Sequence, residues 1–247
     1  MTLRIFRHGV VDSTSERAFA ALAEGSARNG DVHVADGQSA GRGRLGRTWV
    51  SAPGEGLYAS LVLLPEPPAP HPAALTMGAG LAVLESVRAL GVRDARLKWP
   101  NDVVVGGAKL AGILVEARGL DPARPHAVVG VGINVRQREF PAELTTERAV
   151  TSLHLVGVET SIERMLETLL AHLAPRMEQA CRSGDAVAAD YGRAIALVGR
   201  DVLVAHGRSE TQGRLRALSL RGLEIQTEAG DHVRCALEHV QALEAID

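Results

Sequence analysis

Lysine is almost missing from this chain. Of 27 lysine and arginine residues, only Lys98 and Lys109 are lysine, and both fall in the stretch K-W-P-N-D-V-V-V-G-G-A-K. If arginine replaces lysine wherever a generic positive charge suffices, a surviving lysine marks a place that needs a compact point charge on a flexible stem. Chance clustering of two survivors is the alternative. Aromatic residues make up 3% of the chain, so the core must be built from Ala, Val and Leu. The two cysteines, Cys181 and Cys235, exclude a disulfide framework and a zinc site, and read as ordinary thiols in a reducing compartment. No apolar run approaches a bilayer span, the longest being Leu57 to Leu64. Met1 to Asp12 carries Arg4, Arg7 and His8 around no apolar centre, which is not a signal peptide. A formal charge of −2 excludes the broad basic face of a general nucleic-acid binder. The expectation is a soluble cytoplasmic protein with neither DNA nor membrane as partner.

What is present is a chain of 247 residues, 46% apolar, long enough for one large domain and a small appendage. Leu3 to Phe6 reads as a short strand. Ser13-x-x-Glu16 has the spacing of a capping box before an alanine-rich helix carrying Phe19 and Leu22. Asp31 to Asp36 alternates as a strand, and Gly37 to Arg47, without periodicity, reads as a long mobile loop. Leu57 to Leu64 is a buried strand, Pro65 to Pro72 a rigid connector, and Ala73 to Leu90 a helix. Four strands follow at Arg96–Trp99, Val103–Val105, Leu110–Ala117 and Ala127–Val135, with Gly106-Gly107 as a hairpin turn. Helices are expected at Ser161–Cys181 and Ala186–Ala196. Beyond Val198, four or more short strands in the last fifty or so residues suggest a small β-barrel.

Four segments bear on chemistry. In Gly41-Arg42-Gly43-Arg44-Leu45-Gly46-Arg47, glycines admit a ligand to the backbone and arginine forks bind carboxylate or phosphate. A merely solvated basic loop is the alternative, and no G-K-[ST] follows to make a Walker loop. The K-W-P-N-D turn would present Lys98, Asn101 and Asp102 at the end of a sheet, with Lys109 opening the next strand beside Gly112. Gly130-Val131-Gly132-Ile133-Asn134 lacks the third glycine and the helix of a dinucleotide fingerprint. It reads instead as close ligand approach on a strand, or as packing against a neighbouring strand. Asp12-Ser13-Thr14-Ser15 caps a helix whose N-terminus could also hold a polar ligand group. The histidines show no metal spacing.

In order, D-S-T-S, A-D-G-Q-S-A-G-R-G-R-L-G-R-T-W, K-W-P-N-D-V, K-L-A-G-I-L-V-E and G-V-G-I-N-V closely resemble the biotin protein ligases over residues 10 to 135. The resemblance implies an α+β fold: a mixed-sheet catalytic domain related to class II aminoacyl-tRNA synthetases (1–196) and an SH3-like C-terminal barrel (197–247). It implies an enzyme that joins biotin to ATP with Mg²⁺, giving biotinyl-5′-AMP and pyrophosphate, then moves biotin to a lysine of a biotin carboxyl carrier protein. Lys109 and Arg44 would be catalytic. Ser13, Thr14, Ser15, Gln38, Arg42, Gly43 and Gly112 would hold biotin with them. Arg42, Arg44, Arg47, Trp49, Asn101, Gly130, Gly132 and Asn134 would hold the nucleotide. Ser15 stands where many relatives have asparagine, and the tail matches only loosely, so no site residue is placed there. The chain begins at the catalytic domain, so no DNA-binding winged helix and no repression are expected. Exposed strand edges are compatible with a homodimer. The rival expectations are a lipoate or octanoyl ligase or transferase and a non-catalytic biotin sensor.

Overall fold

The computed structural model describes residues 1–118 and 121–246. Its main sheet is built from β1 (Arg4–Val11), β2 (Asp31–Gln38), β3 (Gly56–Leu63), β4 (Arg96–Lys98), β5 (Asp102–Val105), β6 (Ala108–Glu116) and β7 (Ala127–Asn134). The strands lie in the order β1-β2-β3-β7-β6-β5-β4, and β1 and β2 run parallel while every other pair is antiparallel. Strand alternation gives the sheet two unlike faces. Leu57, Ala59, Leu61 and Leu63 of β3, with Val129, Val131 and Ile133 of β7, point into the large core under α2 (Pro72–Ala89) and α4 (Ile162–Arg182). The opposite face carries Ser60, Gly130 and Gly132. There α1 (Thr14–Ala23) covers one end, with Ala18 and Phe19 on Val62 and Val128. The uncovered part of that face is where a ligand can approach backbone.

A short helix, α3 (Ala142–Glu147), escapes sequence reading because it is six residues long and polar. After α4 and α5 (Gly184–Ile195), the tail forms a five-stranded antiparallel sheet. Its strands are β8 (Asp201–His206), β9 (Ser209–Ser219), β10 (Gly222–Gln226), β11 (His232–Cys235) and β12 (Val240–Ala245), in the order β11-β10-β9-β8-β12. α5 is followed by Ala196 in the left-handed conformation, and the first strand of the tail starts at Asp201. The two sheets share one apolar cluster, and the Trp99 indole ties them: it donates to the Val240 carbonyl (3.0 Å) and meets Tyr191 of α5 edge-on.

Three expectations change. β1 runs to Val11 rather than ending at Phe6; as an edge strand with mostly exposed side chains it needs no apolar alternation. The capping box does not close: the Ser13 hydroxyl accepts from the Ser15 N–H (3.2 Å), while Glu16 turns to Arg118 and Arg42. The segment after Gln38 is not structureless. Bridges at Gln38–Ser51 and Arg42–Thr48 and a 3₁₀ turn at Arg44–Gly46 fold it back as a narrow hairpin. The Gly106-Gly107 turn is as expected, both residues having positive φ.

Beside β1, His33 stacks on Phe6 (5.1 Å) and on His8 (5.4 Å), and the His8 Nε2 lies 3.1 Å from the His33 Nδ1. Burial first, then His8 and Arg17 against the opposing Asp31, lower the His33 pKa to about 4. The unfolded histidine titrates near 6.5, so between these values the unfolded chain binds the extra proton. Stability is therefore complete above about pH 6.5 and falls as the pH drops toward 4. We expect His33 to contribute on the order of 2 kcal/mol to this loss, discounted for the partly open rim. The urea midpoint of the wild type should fall more steeply than that of His33→Gln over this range; parallel curves would refute the assignment.

Candidate active site

A cleft of about 420 Å³ opens on the bare face of the sheet. Ser13, Thr14 and Ser15, buried at the N-terminus of α1, form one wall. The Thr14 and Ser15 hydroxyls meet the Ser60 hydroxyl at 2.8 and 3.0 Å. Gln38 accepts from the Thr14 N–H (2.9 Å) and donates to the Ser51 hydroxyl (2.8 Å). This network fixes rotatable hydroxyls and an amide along one wall of the cleft. Ser60 is a site residue the sequence reading missed, although a serine inside the apolar run Y-A-S-L-V was a usable signal.

The floor is glycine. Gly112 and Gly132 are paired partners on β6 and β7, and the Trp49 indole lies over both. A Cβ at Gly132 would sit 2.5 Å from the indole, and one at Gly112 would sit 2.9 Å away. The G-V-G alternation thus reports close approach on one face of a strand. Lys109, side chain 12% exposed, donates to Asp102 (2.6 Å) and lies 5.3 Å from the centre of the Trp49 ring. Burial lowers its pKa from the ordinary lysine value, with Asp102 opposing and Arg148 and Arg47 adding to the fall.

Behind Trp49 lies a second cavity of about 360 Å³, lined by Asn134, Phe140, Leu144 and Val150 among others. Thr48, Trp49, Lys109 and Arg148 line both spaces. Arg148, also unread in the sequence, is docked by the backbone: Lys109 N–H donates to Ala149 O and Thr151 N–H to Lys109 O, each at 2.9 Å. The buried Nε–H groups of Trp49 and Arg148 have no hydrogen-bond partner among the described residues.

The structure brings together most of the expected residues and separates a few. Ser13, Thr14, Ser15, Gln38, Gly43, Arg44, Arg47, Trp49, Lys109, Gly112, Gly130 and Gly132 all line the first cleft. Asn134 lines the second instead, with its amide on Thr151 O (2.8 Å). Asn101 lines the first cleft, yet its amide donates to Ile113 O (2.8 Å) and pins the turn to β6. Arg42 reaches the cleft wall, but its guanidinium is held by Glu16 and Glu116. Lys98 is outside, half-exposed and paired with Glu244. Gly207 and Glu238 to Gln241 of the tail reach the cleft, where no site residue was expected.

The two compartments meet at a waist that carries Lys109 and Arg148. The family model for the biotin/lipoate A/B protein ligase family matches residues 9–134. A biotin–acetyl-CoA-carboxylase ligase from Mycobacterium tuberculosis is 37% identical over 90% of this chain and 85% of its own length. The bifunctional ligase/repressor BirA of Bacillus spizizenii is 39% identical, but the match covers 55% of this chain and only 42% of that protein. The chain thus spans less than half of some of the curated relatives it matches. The structure of the Aquifex aeolicus biotin protein ligase in complex with biotin and ATP superposes with a TM-score of 0.76 at 30% identity, covering 98% of this chain and 99% of that one. The chain belongs to the biotin/lipoate A/B protein ligase family.

Proposed function

We propose that this protein is a biotin protein ligase. It condenses biotin with ATP to biotinyl-5′-AMP and pyrophosphate, then transfers biotin to a lysine of a carboxyl-carrier domain. The observation that carries this reading is the waist, where Lys109, Trp49, Thr48 and Arg148 belong to both cavities. The hydroxyls of Ser13, Thr14, Ser15 and Ser60, with Gln38, suit the ureido ring of biotin, which offers two N–H donors and a carbonyl. The Trp49 indole, Asn134 and the apolar wall of the second cavity suit adenine, which stacks on an aromatic face and hydrogen-bonds at its edge.

The chemistry follows from charge. A carboxylate oxygen attacks the α-phosphorus, the bond to the bridging oxygen breaks, and pyrophosphate leaves. Two anions must approach, and charge builds on the α-phosphoryl oxygens. Lys109, Arg44, Arg47 and Arg148 face that region and stabilise the charge, while the two compartments hold the reactants in line. In the second step the lysine amine of the acceptor attacks the biotinyl carbonyl, and AMP leaves as the anion the same cations hold. Mg²⁺ is read as the companion of the ATP phosphates, offsetting their charge. Among the described residues no three His, Cys, Asp or Glu side chains gather to hold a metal, and Asp102 and Glu238 are the acids that line the cleft.

The finer architecture belongs to the same proposal: a catalytic unit over 1–196 related to class II aminoacyl-tRNA synthetases, and the five-stranded tail, 197–247, as an SH3-like barrel. No helix among the described residues is long and apolar enough to cross a membrane, and we place the protein in the cytoplasm, where carrier domains and ATP meet. The free edge of β1 supports the homodimer reading. The test is pyrophosphate–ATP exchange: exchange that requires biotin and is not supported by lipoate is expected. Exchange with lipoate alone would move the substrate, and biotin binding without exchange would make the protein a sensor.

A further inference from the structure

Four charges close a ring beside the cleft. Arg42 of the arginine loop donates to Glu16 in the first turn of α1 (2.9 Å) and to Glu116 at the end of β6 (2.8 Å). Arg118 forks onto both oxygens of the same Glu16 (2.9 and 2.5 Å), lies 3.8 Å from Glu116, and stacks 4.0 Å over the Phe19 ring. Signs alternate around the ring, so every charge has two partners of opposite sign. Arg42, Glu16 and Glu116 come from the three segments that build the cleft: the loop above it, the helix of Ser13–Ser15, and the strand of Lys109 and Gly112; Arg118 follows two residues after that strand ends. Glu16 is the residue freed when the capping box does not form. Arg42 is the loop arginine whose guanidinium is held by two carboxylates. The ring explains both.

We propose that Glu16, Glu116 and Arg118 are positioning residues that, through Arg42, clasp the arginine loop shut over the biotin site and so set how long the adenylate stays bound. The proposal rests on the function proposed above for what the cleft holds, while the clasp itself consists of contacts within the chain. A closed loop keeps water from the mixed anhydride while the acceptor is awaited. All four side chains remain between about one-fifth and two-fifths exposed, so the clasp is open to screening by salt.

The test uses the full chain with Glu116→Gln, Glu16→Gln, Arg42→Gln and the double variant Arg42→Gln/Glu116→Gln. Without ligand, the loop amides of Gly43 and Trp49, bonded to Arg47 O and Gly41 O, should exchange hydrogen at least about tenfold faster in each glutamate variant. With biotinyl-AMP formed in place, a chase should show release at least about fivefold faster in Glu116→Gln, and the rate of adenylation at saturating substrates should stay within about twofold. Raising salt should speed release from the wild type but leave Arg42→Gln almost unchanged. In the Arg42→Gln background the effect of Glu116→Gln should shrink below about twofold, because the two act on one contact. Wild-type exchange and release in Glu116→Gln, or an undiminished effect in the Arg42→Gln background, would overturn the clasp. A wild type that forms no adenylate from biotin would instead overturn the proposed function, and loop exchange would still decide the clasp.

Discussion

Lys109→Ala is expected to slow biotinyl-adenylate formation by about 100-fold at saturating biotin and ATP, the scale of losing one fixed stabiliser of transition-state charge. Lys109 is, with Arg148, one of two cations that line both compartments; it is mostly buried and braced by Asp102 at 2.6 Å. Removing it also strands Asp102 without its partner, so Lys109→Ala/Asp102→Asn should be compared with the single variant. If the loss were only a fold defect from the stranded acid, the double variant would recover activity; we expect it to stay impaired. Lys109→Arg keeps the charge but puts a wide plane where an ammonium sits near Trp49, and should recover at most a small part of the rate. Burial lowers the lysine pKa, so wild-type adenylation should fall, as pH rises, at a lower pH than an exposed lysine would give. Single-turnover rates across alkaline pH test this. Full activity in Lys109→Arg would show that any cation serves there.

Gly132→Ala should weaken ATP binding by about tenfold or more while leaving the chain folded. The added methyl would lie 2.5 Å from the Trp49 Cε2 and 2.7 Å from its Nε1, so the indole must leave its seat. The displacement alone should cost about 1–3 kcal/mol, as overpacking usually does. A comparison comes from Gly130→Ala, whose Cβ would meet the Ser15 hydroxyl at 3.2 Å and the Leu114 carbonyl at 3.3 Å. That milder crowding is on the biotin side, so Gly130→Ala should affect biotin affinity more than ATP affinity. Trp49 and Trp99 are the two tryptophans, and in a Trp99→Phe background the fluorescence of Trp49 reports its displacement directly. An unchanged spectrum and unchanged ATP affinity in Gly132→Ala would mean that the indole does not define the nucleotide wall.

The elements with strong patterns were legible in the chain. β3, α2, β7 and α4 appear within a residue or two of their expected bounds because each buries a continuous or periodic apolar face. The misses have physical causes. β1 is an exposed edge, and α3 is short and polar. The loop after Gln38 owes its shape to bridges and to long-range charge pairs that no local pattern shows. The site divides in the same way. Glycines 112, 130 and 132 and Lys109 could be read because close backbone approach and a buried point charge restrict residue type. Arg148 and Glu238 to Gln241 are brought to the cleft by tertiary packing alone. Lys98 belongs to the same conspicuous lysine pair yet pairs with Glu244 of the second sheet, so of the two scarce lysines one lies in the cleft.

The central claim is most directly tested by incubating the purified protein with ATP, Mg²⁺, biotin and a carboxyl-carrier domain, and weighing the acceptor intact. The account predicts one biotin added per acceptor, lost when the acceptor lysine is replaced and absent when lipoate takes the place of biotin. An acceptor that gains lipoate instead, or that gains nothing while no biotinyl-AMP forms on the protein, would contradict it.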